Sequence, residues 1–370
     1  MSNYIHLLKE WPAFQWADDK VIQPLSSVRH KQGRLLGKLE GLGFQLREEA
    51  TLETLTLDVI KSSEIEGEKL PADQVRSSIA RRLGIEVAGV VTVDRNVEGV
   101  VDMMLDATQK YDQALTDDRL FGWHAALFPT GRSSIHKIKV GSWRDEASGP
   151  MQVVSGAMGK ERVHFEAPEA SRLQSAMQKF LDWFNNSAPI DPVLKAAIAH
   201  LWFVTIHPFE DGNGRIVRAI ADMQLARADG SRQRFYSMSA QIQKERNAYY
   251  DVLEKTQKGT LDITKWLLWF IECLDRAISV SEENLSGVIH KAKFWEKYNA
   301  AVLNERQRKM LNKLMDGFEG KLTSSKWAKI AKCSPDTALR DIQDLIDKEI
   351  LEKEEGGGRS TSYRIKQIRE

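Results

Sequence analysis

Two prolines bracket the most constrained stretch of this chain. Pro192 follows Asp191, a residue that caps helix starts well, and proline suits the first helical position. Leu194, Ala197, Ile198, Leu201 and Thr205 then recur at helical spacing, so the helix has a stripe to bury. Pro208 ends that helix, because it has no amide hydrogen to donate and restricts the backbone of His207 before it. The chain must therefore fold so as to hold His207 at the end of a buried helix, beside a loop.

The loop carries the densest chemistry in the sequence. Residues 207–218 read His-Pro-Phe-Glu-Asp-Gly-Asn-Gly-Arg-Ile-Val-Arg. Gly212 and Gly214 have no side chain to block approach, so backbone amides can converge around Asn213. The next helix begins there, and amides at a helix N-terminus favour anions. Arg215 and Arg218 are three apart, share a face, and can grip one polyphosphate. Asp211 is a hard carboxylate beside the bound phosphates, where magnesium commonly bridges. His207 is the nearby group whose ordinary pKa suits proton removal near neutrality. A lone histidine or a lone Gly-Asn-Gly is usually structural, but so many phosphate-handling groups in twelve positions point to a site. A zinc site on His200 and His207 is disfavoured, because they are seven apart across Pro208 with no HExxH or cysteine cluster. Residues 356–361 lack the lysine and glycine spacing of a P-loop.

Composition narrows the class. A chain of 370 residues, 42% hydrophobic, can bury a large core in two or three domains. A net charge of +1 gives no global affinity for polyanions. Two cysteines, Cys273 and Cys333, are too few for a disulfide framework and read as small buried apolar residues. The start of the chain reads as no signal peptide, and apolar runs such as 266–271 are too short to span a bilayer. The expectation is a cytoplasmic protein with no membrane contact.

Helical periodicity dominates and strand signals are few. Residues 1–115 form an N-terminal helical region with stretches at 26–46 and 51–66, and 84–92 reads as an irregular connection. Residues 116–280 are the central core, 281–302 a charged linker helix, and 303–370 a separate module. Within the core, short β-like runs at 151–154 and 163–165 flank a glycine-containing spacer, the pattern of a hairpin. In the last module, helical stretches at 306–315, 325–332 and 336–348 precede two short strands around a glycine-rich tip. That order reads as a winged helix-turn-helix, with Ala338, Leu339, Ile342, Leu345 and Ile346 as the inner stripe of its third helix. DNA contact would use Arg340, Arg359 and Arg364. Asp336, Asp341, Asp344 and Asp347 dilute that charge, and protein contact, including a homodimer, is the favoured reading.

Residues 207–218 match at every specified position the signature HPFx[DE]GNGRxxR, so the central region resembles the Fic (filamentation induced by cAMP) family. The flanking modules look like those of bacterial multi-domain Fic proteins. The resemblance implies a mainly α fold: a Fic-type helical bundle with a small β-hairpin flap, plus the C-terminal winged helix-turn-helix. It further implies AMP transfer from ATP to Ser, Thr or Tyr hydroxyls of proteins, the chain itself among them. His207 would be the base and Asp211 would hold Mg2+. Gly212, Asn213 and Gly214 would cradle the phosphates, with Arg215 and Arg218 on the β- and γ-phosphates. Tyr250 and Gln257 match the helix that completes the adenine pocket, and the hairpin resembles the flap that aligns target peptides.

Residues 62–67 bear on regulation. Leu52, Leu55 and Val59 form a stripe that continues to Ser62 and Glu66, with Gly67 as a C-terminal cap. Taken alone, Glu66 reads as an exposed last-turn glutamate or an ordinary ion pair. By resemblance it fits the family's inhibitory pattern [ST]xxxE[GN], ahead of the catalytic motif, as in the N-terminally inhibited class. Its partner would be Arg218. Two other activities stay open: removal of AMP from a modified protein, and a DNA-binding regulator whose core only senses nucleotide.

Overall fold

The computed structural model describes residues 4–366 except 42, 88, 134, 157–159, 161, 187–188, 299–300, 316–317, 319 and 355–360. The chain divides into two compact units, Met1–Ser281 and Glu282–Glu370.

The first unit is almost entirely helical. It opens with α1 (Asp18–Glu40), α2 (Phe44–Ile65), α3 (Ala72–Leu83), α4 (Arg95–Gln109) and α5 (Asp117–Leu127). Two small hairpins follow, β1 (Arg132–Ser133) with β2 (His136–Lys137), and β3 (Gln152–Ser155) with β4 (Arg162–Glu166), both antiparallel. Helices α6 (Leu173–Asn185), α7 (Pro192–Ile206), α8 (Asn213–Asp229), α9 (Met238–Lys244) and α10 (Arg246–Gln257) come next. α11 (Thr264–Lys297) begins in this unit.

The centre of the core is the pair α7 and α8. Every residue from Val193 to Ile206 is buried, so α7 is enclosed all round rather than on one stripe. Asp191 caps it by accepting the Val193 amide at 2.8 Å. α2 packs along α9 and α3 and touches α8, which lays the end of α2 beside the start of the motif helix. A buried polar set fixes it there. Asp58 of α2 accepts from the Ser237 hydroxyl and the Ser239 amide, and Asp222 of α8 pairs with Arg234 at 2.7 Å. Burial and the neighbouring Asp58 push the Asp222 carboxyl well up from its usual range.

The helical stretch expected at 26–46 is two helices. Gly41 and Gly43 break it, since neither supplies a side chain to favour continuing the helix. α1 also begins at Asp18, ahead of the expected start at 26, and carries Pro24 inside it. Cys273 is buried, whereas Cys333 is only half-buried. Among the described residues no helix is long and apolar enough to cross a membrane.

The second unit contains α12 (Glu305–Met315), α13 (Ser324–Ala331) and α14 (Pro335–Asp347), then antiparallel β5 (Leu351–Lys353) and β6 (Tyr363–Ile365). Trp327, Ile342, Leu345 and Phe294 centre its own core. Leu339 departs from the expected inner stripe and is exposed, because α14 turns Ala338, Asp341, Ile342, Leu345 and the partly buried Ile346 inward. Arg364 pairs with Glu352 across the strands. Arg359 and the glycine tip lie outside the described residues.

Candidate active site

The local sequence builds the site at the joint between α7 and α8. Pro208 stops α7, and His207 takes up a left-handed backbone (φ 52°) as its C-cap. Gly212 is also left-handed (φ 80°), and a Cβ there would lie 2.8 Å from the Phe128 ring. The turn therefore requires glycine on two grounds. Asn213 closes it: its side chain accepts the Phe209 amide at 3.0 Å and donates to the Phe209 carbonyl at 2.8 Å.

His207 Nδ1 lies 3.2 Å from the Val204 carbonyl oxygen. A carbonyl can only accept, so Nδ1 carries the proton and Nε2 keeps its lone pair. Burial, opposed by the Val204 contact, pulls the imidazole pKa down to about 4. The ring is thus neutral at pH 7, the form a base requires. Its backbone is clamped by buried Arg144, whose Nε donates to the His207 carbonyl (2.8 Å) and Nη2 to the Pro168 carbonyl (2.5 Å). Behind the loop, His124 stacks on Phe209 at 4.2 Å. It accepts the Gly141 amide on Nδ1 and donates from Nε2 to the Asp211 carbonyl, so its tautomer is fixed as well. Neither Arg144 nor His124 has a local sequence signal, as their partners lie 17 to 87 residues away.

Both motif arginines are engaged by the end of α2. That helix closes in a Schellman cap: Glu68 N donates to the Ser63 carbonyl, Gly67 N to that of Glu64, and Gly67 is left-handed (φ 85°). The cap turns Glu66 and Glu68 toward the N-terminus of α8. Glu66 lies past the end of α2 rather than on its core face, with its side chain 33% exposed. Arg218 donates from Nε to the Ser62 hydroxyl (2.9 Å) and from Nη2 to the Ser62 carbonyl (2.7 Å). Arg218 Nη1 is 2.8 Å from Glu66 Oε1. That ion pair is off the line of a hydrogen bond, so the buried Nη1 makes no aligned hydrogen bond among the described residues. Burial pulls the Arg218 pKa down, and Glu66 together with Tyr249 and Tyr250 more than offsets it, leaving it raised. Arg215 pairs with Glu68 at 2.6 Å and lies over the Phe128 ring, with its buried Nε also lacking a partner among the described residues. The Glu66 carboxylate sits directly on Gly214, where a Cβ would meet Oε1 at 2.0 Å. An anion of the chain itself therefore occupies the helix N-terminus.

A cleft of about 510 Å³ opens here, lined by His207, Gly214 and Glu66 on one side and by Val153, Val154, Phe165, Tyr250, Leu253 and Gln257 on the other. Tyr250 and Gln257 share it with His207, as their sequence positions suggest. Gln257 also donates to Thr205 at 3.2 Å, fixing α10 to α7. Both adjacent tyrosines line the cleft, but Tyr249 is buried, its hydroxyl 2.9 Å from His200 Nε2, whereas Tyr250 is the exposed one. Arg246 lies over Tyr250 and donates to the Ile65 carbonyl at the end of α2 (2.9 Å). Asp211 is set apart from this lining. Its carboxylate accepts from the Ser133 hydroxyl and, at 2.6 Å, from the Gly212 amide. One half-buried carboxylate with a hydroxyl beside it suits magnesium, which takes few protein ligands and keeps phosphates and waters. Among the described residues no three metal-binding side chains cluster, so this is no all-protein metal cage.

Fold and site together define a mainly helical domain with a hairpin-walled anion cleft. Residues 114–225 match the model of the Fic/DOC family. Residues 4–85 match a domain of unknown function, DUF4172. Over 115 residues the chain is 33% identical to the protein adenylyltransferase Fic of Drosophila willistoni and 33% identical to that of Culex quinquefasciatus. These alignments take in 30% of this chain and 22% and 21% of the relatives. The chain thus spans about a fifth of the length of the curated relatives it matches. It shares its fold with a Fic family protein from Desulfovibrio desulfuricans G20, at 20% identity and a TM-score of 0.53, over 96% of this chain and 98% of that one.

Proposed function

We propose that the chain transfers AMP from ATP to hydroxyl groups of proteins, itself included, and that Glu66 holds this activity down. One observation carries the reading: a neutral His207, its Nε2 without a hydrogen-bond partner among the described residues, shares a single cleft with the Gly214 anion site, Tyr250 and Gln257. The name of the relatives, protein adenylyltransferase, supports it.

In the reaction, His207 Nε2 takes the proton of the acceptor hydroxyl. The oxygen attacks the α-phosphorus, the bond to the β-phosphate oxygen breaks, and pyrophosphate leaves. Asn213 holds the loop so that the amides at Gly212 and Gly214 face the phosphates, while Arg215 and Arg218 balance their charge. Catalysis on this reading is positioning and charge stabilisation, with no covalent enzyme intermediate. Asp211 is the residue to hold Mg2+, which when bound supplies positive charge to the phosphates. Tyr250, Leu253 and Gln257 line the base pocket. Inhibition is competition for the arginines. Glu66 occupies the place of a phosphate on Arg218 and Gly214, and Glu68 extends the block to Arg215.

The test is label transfer from ATP labelled at the α-phosphate, with magnesium, followed by mass spectrometry of the products. AMP adducts in the Glu66→Gly protein that vanish in Glu66→Gly with His207→Ala support the reading. A different transferred group, or adducts surviving without His207, refutes it. AMP release from a modified protein by the unmutated chain would instead mark the reverse reaction.

A further inference from the structure

The hairpin β3–β4 carries an irregularity opposite α10. Val153 pairs with Phe165 and Val154 with Val163, which leaves His164 as one extra residue on β4, a β-bulge. A bulge forfeits ladder bonding and re-aims a side chain, and such features gather next to active sites. Here it directs His164 to α10, where Nδ1 lies 2.6 Å from Glu254 Oε2. The other ring nitrogen, Nε2, meets the Ser155 hydroxyl of β3 at 2.5 Å. One imidazole thus joins both strands of the hairpin to one carboxylate.

Glu254 is well placed for that duty. Its Oε1 also receives Lys258 Nζ at 2.6 Å, one turn along α10, and Arg162 Nη2 of β4 at 3.1 Å. The Glu254 side chain is mostly covered, while Arg162 is largely exposed, so the Arg162 arm is strongly screened and the His164 arm is the stronger tie. Although burial pushes the Glu254 carboxyl up, Lys258, His164 and Arg162 together bring it down to about 2. Ser155, His164 and Glu254 line the same cleft as His207 and Tyr250.

We propose that Glu254 is a positioning residue: through bulged His164 it fixes the β3–β4 hairpin at a set distance from the base-lining helix α10, and so sets the height at which an acceptor chain reaches the nucleotide. The proposal rests on the AMP-transfer reading for its last clause only. Its test therefore has two readouts. Hydrogen–deuterium exchange of the hairpin amides should quicken about tenfold or more in Glu254→Gln and in His164→Gln. Calorimetric affinity for magnesium ATP should stay within about threefold. In the Glu66→Gly background, either change should cut AMP transfer to protein about tenfold at saturating ATP. Swapping the pair, His164→Glu with Glu254→His, should restore most of both readouts. His164→Gln lies on the surface hairpin, so it separates loss of the clasp from loss of α10. Unchanged exchange overturns the clasp, and faster exchange with unchanged transfer overturns its positioning role. If Glu66→Gly alone transfers no AMP, the functional reading has failed, and the exchange data still decide the clasp.

Discussion

Replacing Glu66 by glycine tests how the resting state is held. Two unit charges 2.8 Å apart attract by about 6 kcal/mol at an effective dielectric near 20. The carboxylate is one-third exposed, so water takes back part of this. The net falls between exposed pairs, below about 1 kcal/mol, and broken buried pairs, about 3–5 kcal/mol; we take about 2–3. At about 1.4 kcal/mol per decade, that is about 30- to 150-fold in the availability of Arg218 to a γ-phosphate. Arg218 does not swing free on losing Glu66, because Ser62 still holds Nε and Nη2. Nη1, lacking an aligned partner, is the donor released. The assay is the initial rate of self-labelling from ATP labelled at the α-phosphate, at ATP below saturation. A Glu66→Gly rate within about threefold of the unmutated chain would refute the competition argument. Glu68→Gln should add a smaller gain, a few-fold, when combined with Glu66→Gly, since the Glu68 side chain is the more exposed partner.

Gly214→Ala should behave differently in two backgrounds. Its methyl would drive Glu66 off, so a double-mutant cycle with Glu66→Gly, read by chemical denaturation, should show a coupling of about 1–2 kcal/mol. Additivity within about 0.5 kcal/mol would count against the contact. Arg144→Met should lower the maximal rate of Glu66→Gly at least about tenfold while ATP affinity holds, because two backbone carbonyls lose their donor and His207 loses its clamp. An unchanged rate argues that the clamp is dispensable. Acid should unfold this chain early. His124 and His200 are buried, with pKa values brought down to about 4 and about 3 by desolvation, so the unfolded chain binds protons more readily below pH 6.5. Stability then falls as pH drops from 6.5 toward 4, by about 3 kcal/mol for each histidine at about 1.4 kcal/mol per pH unit. Denaturation midpoints flat across that window would exclude this. For the same reason, the acid limb set by His207 should lie near pH 4 rather than 6.5.

What could be read from the sequence was local. Asp191-Pro192 and Pro208 delimit α7 because capping and the missing amide act within a few residues. Gly212 needs its left-handed backbone whatever surrounds it, and the Ser62–Glu66 stripe leads to Arg218 once the family pattern is seen. What stayed hidden was long-range pairing. Arg144, His124 and the His164–Glu254 contact join segments up to 90 residues apart, and no spacing rule links them. Glu68 is the intermediate case. It stands two residues past Glu66, but its direction depends on the Schellman turn at Gly67. The start of α1 is not legible either: the helix begins at Asp18, ahead of the stretch expected from 26, with Pro24 inside it. Leu339 fits the α14 stripe by period and still faces out.

The anchoring of α2 limits how such a switch can move. Asp58 is tied to Ser237 and Ser239, and Leu52, Leu55 and Val59 are in the core. Withdrawing the helix would therefore dismantle part of the domain. Only the turn beyond Ser62 is cheap to rearrange, by rotating one side chain or loosening one cap. Motions of that size run in nanoseconds to microseconds, far faster than turnover. The resting rate is then a time average, the fraction of moments in which the carboxylate points elsewhere. An effector would have no gate to open. It would need only to bias a rotamer.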